Sequence, residues 1–386
     1  MERKLLYVAS TAGHLKSFHL PYIRALKEDG WTVHIAGRGA DAPLAGADAF
    51  FDIPFEKSMT SPQNLTATAQ LSGLIRREKY DVISVHTSLA AFFVRLGLMA
   101  SGRRGKTLMI NTVHGYLFDE DTKPLKRSIL LGAEKLTTSA TDLLLTMNAQ
   151  DTRIAQKHRL CRGAVEQIDG MGVDFGRFVP ADEGQKAKAR ESFGIPADAF
   201  VLVYAAEFSK RKNQSELICA LKDLPENVCL LLAGRGGLQE QCQALCRELG
   251  VEDRVFFAGF VSDVERCYQA ADVCVSTSRS EGLPFNLMEA MHCALPVVAT
   301  AVKGHEDLVE NGFNGFLFPF DDRAALCRHI RSLQDDRQLR ARMGQNSLQS
   351  VERYELAPVL RENMDLLRGF FRQHGLESAE KVPAGK

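Results

Sequence analysis

Short, uninterrupted apolar runs alternate with helix-like segments along the whole chain, and this alternation restricts the fold more than any other feature. "KLLYVA", "WTVHIA", "YDVISVH", "KTLMIN" and "DLLLTM" lie in the first half, and "FVLVYA", "NVCLLLAG", "RVFFAG", "DVCVST" and "PVVAT" in the second. A strand that is apolar on consecutive residues has both faces covered, as in a parallel sheet flanked by helices. Each half therefore reads as a doubly wound α/β domain. A length of 386 residues exceeds one ordinary core and suits two domains. The stretch "GMGVDFGRFVPADEG", rich in Gly, Asp and Pro between Gly170 and Gly184, marks the junction, giving domains at 1–174 and 175–355. In "ELAPVLRENMDLLRGFFRQHG", Leu360, Met364, Leu367 and Phe371 fall at helical spacing, so a helix over 356–374 is expected to cross back and brace the first domain. The tail 375–386 has little to bury and is expected to be disordered.

Composition narrows the class. With 45% hydrophobic and 25% charged residues and no biased tract, the chain reads as a soluble globular protein. The opening "MERKLLYVAS" has too short an apolar run for a signal peptide, and no run approaches a membrane span. A cytoplasmic location is expected, with membrane contact only peripheral. Charge balances at 48 against 48, yet residues 1–178 hold 23 basic and 18 acidic side chains. That offset suits a first half facing an anionic membrane surface or a phosphorylated substrate. No nucleic-acid partner is expected. Nine cysteines lie between Cys161 and Cys327, and only Cys242 and Cys246 are closely spaced, with no His or Cys partner nearby. The pattern fits free thiols in a reducing compartment better than a metal site.

In open parallel sheets, ligands bind beyond the carboxyl ends of strands. The first strand runs into "STAGHLKSFHLPYIRAL", where Gly13 and His14 open a helix. G-x-G-x-x-G is absent, which disfavours a nicotinamide cofactor. Ala12 and Gly13 still admit a ligand close to the backbone, and His14 suits a cleft or equally a helix cap. His86 in "ISVHTSL" and His114 in "NTVHGYLF" end strands. Gly115 clears space beside His114, which is suited to share a proton or bond a substrate hydroxyl. A structural role fits His86 as well.

In the second half, "YAAEFSKRKNQSEL" places Lys210, Arg211 and Lys212 just before a helix, an arrangement suited to a diphosphate or simply to a solvated basic turn. "LLLAGRGGLQEQ" adds Gly234, Gly236 and Gly237 around Arg235. The stretch "SRSEGLPFNLMEAM" from Ser278 to Met291 carries the sharpest chemistry. Pro284 suits the first helical position, which makes Leu283 the N-cap, and leucine cannot cap. The N–H groups of Phe285, Asn286 and Leu287 are then available to an anion. Carboxylates only accept hydrogen bonds, so Glu281 and Glu289 on either side suit hydroxyl-rich groups. A sugar nucleotide fits: Glu281 for the sugar, the bare helix start for phosphate, Glu289 for ribose. Either glutamate taken alone is also explained as a complement to the helix dipole.

Together these residues resemble family 4 of the retaining glycosyltransferases, whose GT-B fold sets two Rossmann-like domains across a cleft. The resemblance spans nearly the whole chain. Its most specific part is Glu281 and Glu289 with Gly282 and Pro284, followed by "ALPVVATAVKGHEDLVENGFNGFLFP"; "AGH" at Ala12 to His14, "HG" at His114 and Gly115, and "GVDFGRF" from Gly172 to Phe178 are also similar. "STAGHLKSFHLPYIRALKEDGWTVHIA" and "EFSKRKNQSELI" look most like bacterial enzymes of exopolysaccharide and capsule assembly.

The resemblance implies transfer of a sugar, an N-acetylhexosamine or hexose, from a UDP-sugar to an acceptor hydroxyl with retention. A covalent intermediate would need a well-placed carboxylate nucleophile, none is identifiable in the sequence, and a front-face route is therefore expected. It implies Lys212 on the donor diphosphate, Glu281 on the donor sugar, Glu289 on the ribose, and His114 near the reaction centre. Gly13, Lys210, Arg211, Arg235, Gly282, Leu283, Pro284, Phe285, Asn286 and Leu287 complete the donor side, and Phe260 and Val261, after Gly259, flank the base. His14, His86, Gly115 and Tyr116 fall on the acceptor side, where a glycan or polyprenyl-linked acceptor is implied. No metal or cofactor is implied, and no Asp-x-Asp motif ends a strand. Glu207 departs from the family's usual arginine five residues before the lysine, a feature shared by the exopolysaccharide-type relatives.

On this reading the glutamates hold the donor, so Glu289→Gln is expected to weaken donor binding more than it alters the pH profile. The stretch "TKPLKRSILLGAEKL", with Lys123, Lys126 and Arg127 beside Ile129 to Leu131, suits peripheral contact with an anionic membrane. Two other classes fit the same pattern: a UDP-N-acetylglucosamine 2-epimerase of the same fold, and a non-catalytic nucleotide-binding subunit.

Overall fold

The computed structural model describes residues 3–39, 46–120 and 122–376. The chain divides into two compact units, Met1–Met171 with Ala357–Lys386, and Gly172–Leu356. The division falls at 171/172, three residues before the position read from the Gly- and Asp-rich stretch.

The first unit is built on seven strands: β1 (Lys4–Thr11), β2 (Thr32–Arg38), β3 (Ala49–Asp52), β4 (Val82–His86), β5 (Leu108–Val113), β6 (Leu143–Thr146) and β7 (Ala164–Gln167). All pair in parallel, in the order β3-β2-β1-β4-β5-β6-β7. The second unit has β8 (Phe200–Ala205), β9 (Val228–Ala233), β10 (Val255–Gly259), β11 (Val273–Ser276), β12 (Val297–Thr300) and β13 (Gly315–Phe318), parallel in the order β10-β9-β8-β11-β12-β13. In each sheet the chain steps outward from its first strand and then resumes on that strand's other side. The reversals fall between β1 and β4, with Leu5 opposite Val82, and between β8 and β11, with Leu202 opposite Val273. A crevice at the carboxyl end of such a reversal is where open parallel sheets take ligands.

Central strands are buried throughout and mostly apolar because helices cover both faces: β4, β9, β11 and β12 have no exposed residue. Three strands escaped the sequence reading, namely β3, β7 and β13. β3 and β7 border the first sheet and are short; β7 reads "AVEQ" and is largely exposed. β13 opens on a glycine at the edge of the second sheet. An edge strand has one neighbour and need not be apolar on consecutive residues.

The final helix, Leu356–Gln373, buries Val359, Met364, Leu367, Phe370 and Phe371. From Ala357 it belongs to the first unit: Asn363 Nδ2 donates to Tyr22 Oη and to the Gly170 carbonyl, each at 2.9 Å, and Phe371 packs on Trp31 at 4.8 Å. Residues 377–386, most of the tail expected to be disordered, lie outside the described residues. Among the described residues no helix is long and apolar enough to cross a membrane. All nine cysteines are free, and Cys242 and Cys246 lie in the core of the second unit.

Candidate active site

The reversal between β8 and β11 brings together two side chains 69 positions apart in sequence, Lys212 from the loop after β8 and Glu281 from the loop after β11. Lys212 Nζ lies 2.7 Å from Glu281 Oε1, and Arg211 Nη1 lies 2.7 Å from Glu281 Oε2. Burial alone would lift the Glu281 carboxyl, but the Lys212 and Arg211 cations outweigh it and hold the group at about 2. Burial pulls the Lys212 ammonium below lysine's ordinary value, with Glu281 opposing.

A buried polar network fixes the two loops. Tyr204, near the end of β8, donates to the Lys212 carbonyl at 3.2 Å and shares a 2.6 Å hydrogen bond with Ser278 Oγ, while Thr277 Oγ1 donates to the Asn213 carbonyl at 2.8 Å. Thr300 Oγ1 donates to the Ser278 carbonyl, and fully buried His305 bridges Ser276 Oγ through Nε2 and the Thr300 carbonyl through Nδ1. Burial holds His305 down at about 4, against the opposing pull of Glu281. Gly304 packs against the Glu281 loop with φ +79°; a Cβ there would sit 2.6 Å from the Gly282 carbonyl oxygen, which only glycine avoids. A side chain at Gly236 would likewise meet Phe208 O at 2.4 Å, which is why the Gly-rich turn after β9 can lie directly on the loop carrying the cations.

The helix after Glu281 runs Phe285–His292, with Pro284 at the N-cap and no side-chain cap. This corrects the expected register, in which Leu283 capped and Pro284 was the first helical residue; Pro284 has extended ψ, 110°. The Leu287 N–H, expected to be available, bonds the Pro284 carbonyl at 3.2 Å. Asn286 Nδ2 at this helix start is buried with no hydrogen-bond partner, a donor awaiting an acceptor. One turn on, Glu289 Oε2 accepts from Tyr268 Oη at 2.9 Å. Burial lifts the Glu289 carboxyl to about 7, with the Tyr268 hydrogen bond opposing. Its burial thus brings the titration of Glu289 close to neutrality, so a pH effect stands beside the weakened donor binding expected of Glu289→Gln.

The remaining residues expected on the donor side are distributed unevenly. Lys210, Arg235 and Glu207 are exposed; the Glu207 carbonyl accepts from Gln214 Nε2. Phe260 is 73% exposed at the end of β10, with Val261 half-buried beside it. A separate hollow of about 590 Å³ opens at the amino ends of β8, β11 and β12, lined by Lys186, Arg190 and Asp272. Lys186 and Arg190 there are already paired with Asp272 at 2.6 and 2.7 Å.

In the first unit, the reversal between β1 and β4 gathers imidazoles. His14 follows β1 on the helix Ala12–Phe18, which Thr11 caps by accepting from the His14 N–H; His86 ends β4 and His114 follows β5. Their rings lie 4.9 Å (His14 to His114) and 5.6 Å (His86 to His114) apart. Burial lowers His14 to about 4 and His114 to about 3, so both are neutral at ordinary pH. Gly13 is exposed with open space around it, and Gly115 has φ +118°. Two of the residues expected on the acceptor side are buried. His86 is buried, stacked on Tyr7 at 4.5 Å, and Tyr116 is core, packed against Phe118 at 5.2 Å.

Sequence reasoning missed His19, which joins the imidazole group fully buried, and Tyr204, Ser278, Thr300 and His305 beneath Glu281. Pro21 is the signal for His19: its position at the start of the helix Leu20–Glu28 breaks the preceding helix at His19 and turns that ring inward.

Comparison with known proteins agrees with this fold. The family model described as glycosyl transferases group 1 matches residues 185–350, and the one described as glycosyltransferase family 4 matches residues 22–168. EpsD of Bacillus subtilis (strain 168), named as a glycosyltransferase, is 35% identical over 374 residues, covering 96% of this chain and 97% of that protein. The UDP-Gal:alpha-D-GlcNAc-diphosphoundecaprenol alpha-1,3-galactosyltransferase of Escherichia coli is 24% identical, over 75% of this chain and 76% of that protein. Among solved structures, HepE of Anabaena in complex with UDP superimposes with a TM-score of 0.74 at 22% identity, covering 95% of this chain and 100% of that one, and the same protein has been solved with UDP-glucose.

Proposed function

The chain belongs to the family 4 glycosyltransferases, built on the GT-B fold, and from that premise we propose that it transfers a hexose or N-acetylhexosamine from a UDP-sugar to a hydroxyl of a lipid-linked glycan, with retention at the anomeric carbon. One observation carries the reading: a buried lysine and glutamate meet at 2.7 Å where the second sheet reverses, beside a helix start with no side-chain cap. In this reading the donor diphosphate displaces Glu281 from Lys212, and the lysine and helix start stabilise the leaving group as its charge develops. Glu281, released from Lys212, accepts hydroxyls of the sugar, and Glu289 accepts those of the ribose. Among the described residues no carboxylate stands out as a nucleophile, so the leaving phosphate takes the acceptor's proton and the new bond forms on the face the phosphate leaves. His114, neutral and just beyond the carboxyl end of β5, accepts a hydrogen bond from a substrate hydroxyl. None of these steps uses a metal.

The relatives that support this reading bear on donor and acceptor alike: the Escherichia coli enzyme's name specifies UDP-Gal and a diphosphoundecaprenol substrate, and HepE has been solved with UDP. The helix Pro124–Thr137 supports a lipid-linked acceptor. Leu125, Ile129 and Leu136 are exposed within about 40° of one another around its axis, with Lys123, Lys126 and Lys135 exposed beside them. Such a face fits an anionic bilayer surface. Leu130 and Leu131, by contrast, turn in against the core. The anomeric configuration of the product, read by proton NMR against that of the donor, tests the stereochemistry. A product of inverted configuration refutes the proposed route.

A further inference from the structure

We infer that His14, His19 and His114 form a binding site for one transition-metal ion of the zinc class at the carboxyl edge of the first sheet. One ligating nitrogen from each lies within 4.8 Å of the other two. A tetrahedral ion with metal–nitrogen bonds of about 2.0–2.1 Å sets its ligand nitrogens about 3.3 Å apart, so the site closes with shifts of no more than about 1.5 Å. His14 is only half-buried on a seven-residue helix and has room to make them.

Two observations point to a missing occupant. His14 Nε2 and His19 Nε2 are both buried with no hydrogen-bond partner, although an imidazole nitrogen removed from water ordinarily finds one. The outer contacts are also those a metal-binding histidine uses: His19 Nδ1 shares a 2.9 Å hydrogen bond with Tyr7 Oη, which orients the ring and leaves Nε2 inward, and His114 Nε2 faces His86 Nδ1 at 3.4 Å. Burial keeps the rings in the neutral, ligating form. Three imidazoles without a carboxylate select zinc, cobalt(II), nickel or copper over magnesium and calcium, which require oxygen ligands. Three protein ligands leave the fourth position to water or a substrate oxygen. This site stands on geometry alone and is independent of the metal-free transfer proposed above; an ion bound here occupies the His114 lone pair, so the occupied state does not carry out transfer.

The test is a titration of the full chain, free of any affinity tag, with Co²⁺ followed by visible d–d absorption. The expected result is saturation at one equivalent with a tetrahedral spectrum, displaced by Zn²⁺ and untouched by excess Mg²⁺. His14→Ala and His19→Ala each weaken binding by about tenfold or more, and His158→Ala, remote on the surface, does not. His14→Ala, at a half-buried position, decides the matter if His19→Ala does not fold. Absence of one-equivalent binding, displacement by Mg²⁺, or unchanged affinity in a folded His14→Ala protein overturns the inference.

Discussion

Lys212 Nζ and Glu281 Oε1 lie 2.7 Å apart with both side chains almost wholly buried, and Arg211 holds the other carboxylate oxygen. A buried pair of this kind is costly to split and is stabilising only while both partners remain. Lys212→Met therefore strands a carboxylate that Arg211 alone must neutralise. The expected result is a fall of about 10²–10³ in kcat/KM together with reduced stability. The double variant Lys212→Met/Glu281→Gln regains part of that stability, though none of the activity, in a thermal-melt double-mutant cycle. Additive stability losses would show that the pair is not coupled.

Glu289 sets a pH dependence. Its folded value of about 7 lies above the ordinary 4.5, so the folded apo protein holds this proton more tightly than the unfolded chain. Its contribution to stability is therefore greatest below about 4.5 and is lost as pH rises to about 7, a loss of up to about 3 kcal/mol. Only the ionised form accepts two ribose hydroxyls, so donor KM should rise about tenfold between pH 8 and pH 6. Glu289→Gln should abolish that dependence, raise KM at pH 8, and raise the apo melting temperature at pH 8. An unchanged KM profile in the variant would remove Glu289 from the donor site.

Gly304 holds the Glu281 loop by close approach, its missing Cβ leaving room for the Gly282 carbonyl. Gly304→Ala combines that clash with a left-handed φ of +79° and should cost about 1–3 kcal/mol. For a domain of this size this lowers Tm by roughly 2–10 °C. Donor affinity should fall with it, measured by calorimetric titration with UDP.

The exposed stripe of the helix Pro124–Thr137 predicts lipid binding. Leu125→Ser/Ile129→Ser should reduce co-sedimentation with anionic vesicles without changing Tm, because both side chains are more than 60% exposed. Equal sedimentation of variant and parent, or equal binding to neutral vesicles, would exclude this face as the contact.

The doubly wound architecture was legible because central parallel strands must be apolar on consecutive residues, as Val228–Ala233 is. The edge strand Ala164–Gln167 was not, since one neighbour and an exposed face leave no such pattern. Lys212, Glu281 and Glu289 were legible from charge beside a helix start. What sequence could not supply was the burial around them. Burial lifts Glu289 to about 7 even though Tyr268, on the helix Glu265–Ala270, donates to it and pulls the other way. Pro284 was assigned one position too far into its helix, because its fixed φ is compatible with both the N-cap and the first turn. Gly115 set His114 apart from His86 in the sequence, but the burial of His86 against the stacked ring of Tyr7 was not legible there.

The most direct test of the central claim is incubation with a panel of UDP-sugars, with and without a polyprenyl-diphosphate-linked glycan, measuring UDP released and sugar entering the lipid phase. The account predicts that one donor yields UDP and lipid-phase sugar in equal amounts, only with acceptor present, and that Lys212→Met loses both. Epimerised UDP-sugar in the absence of acceptor, or full transfer by Lys212→Met, would contradict it.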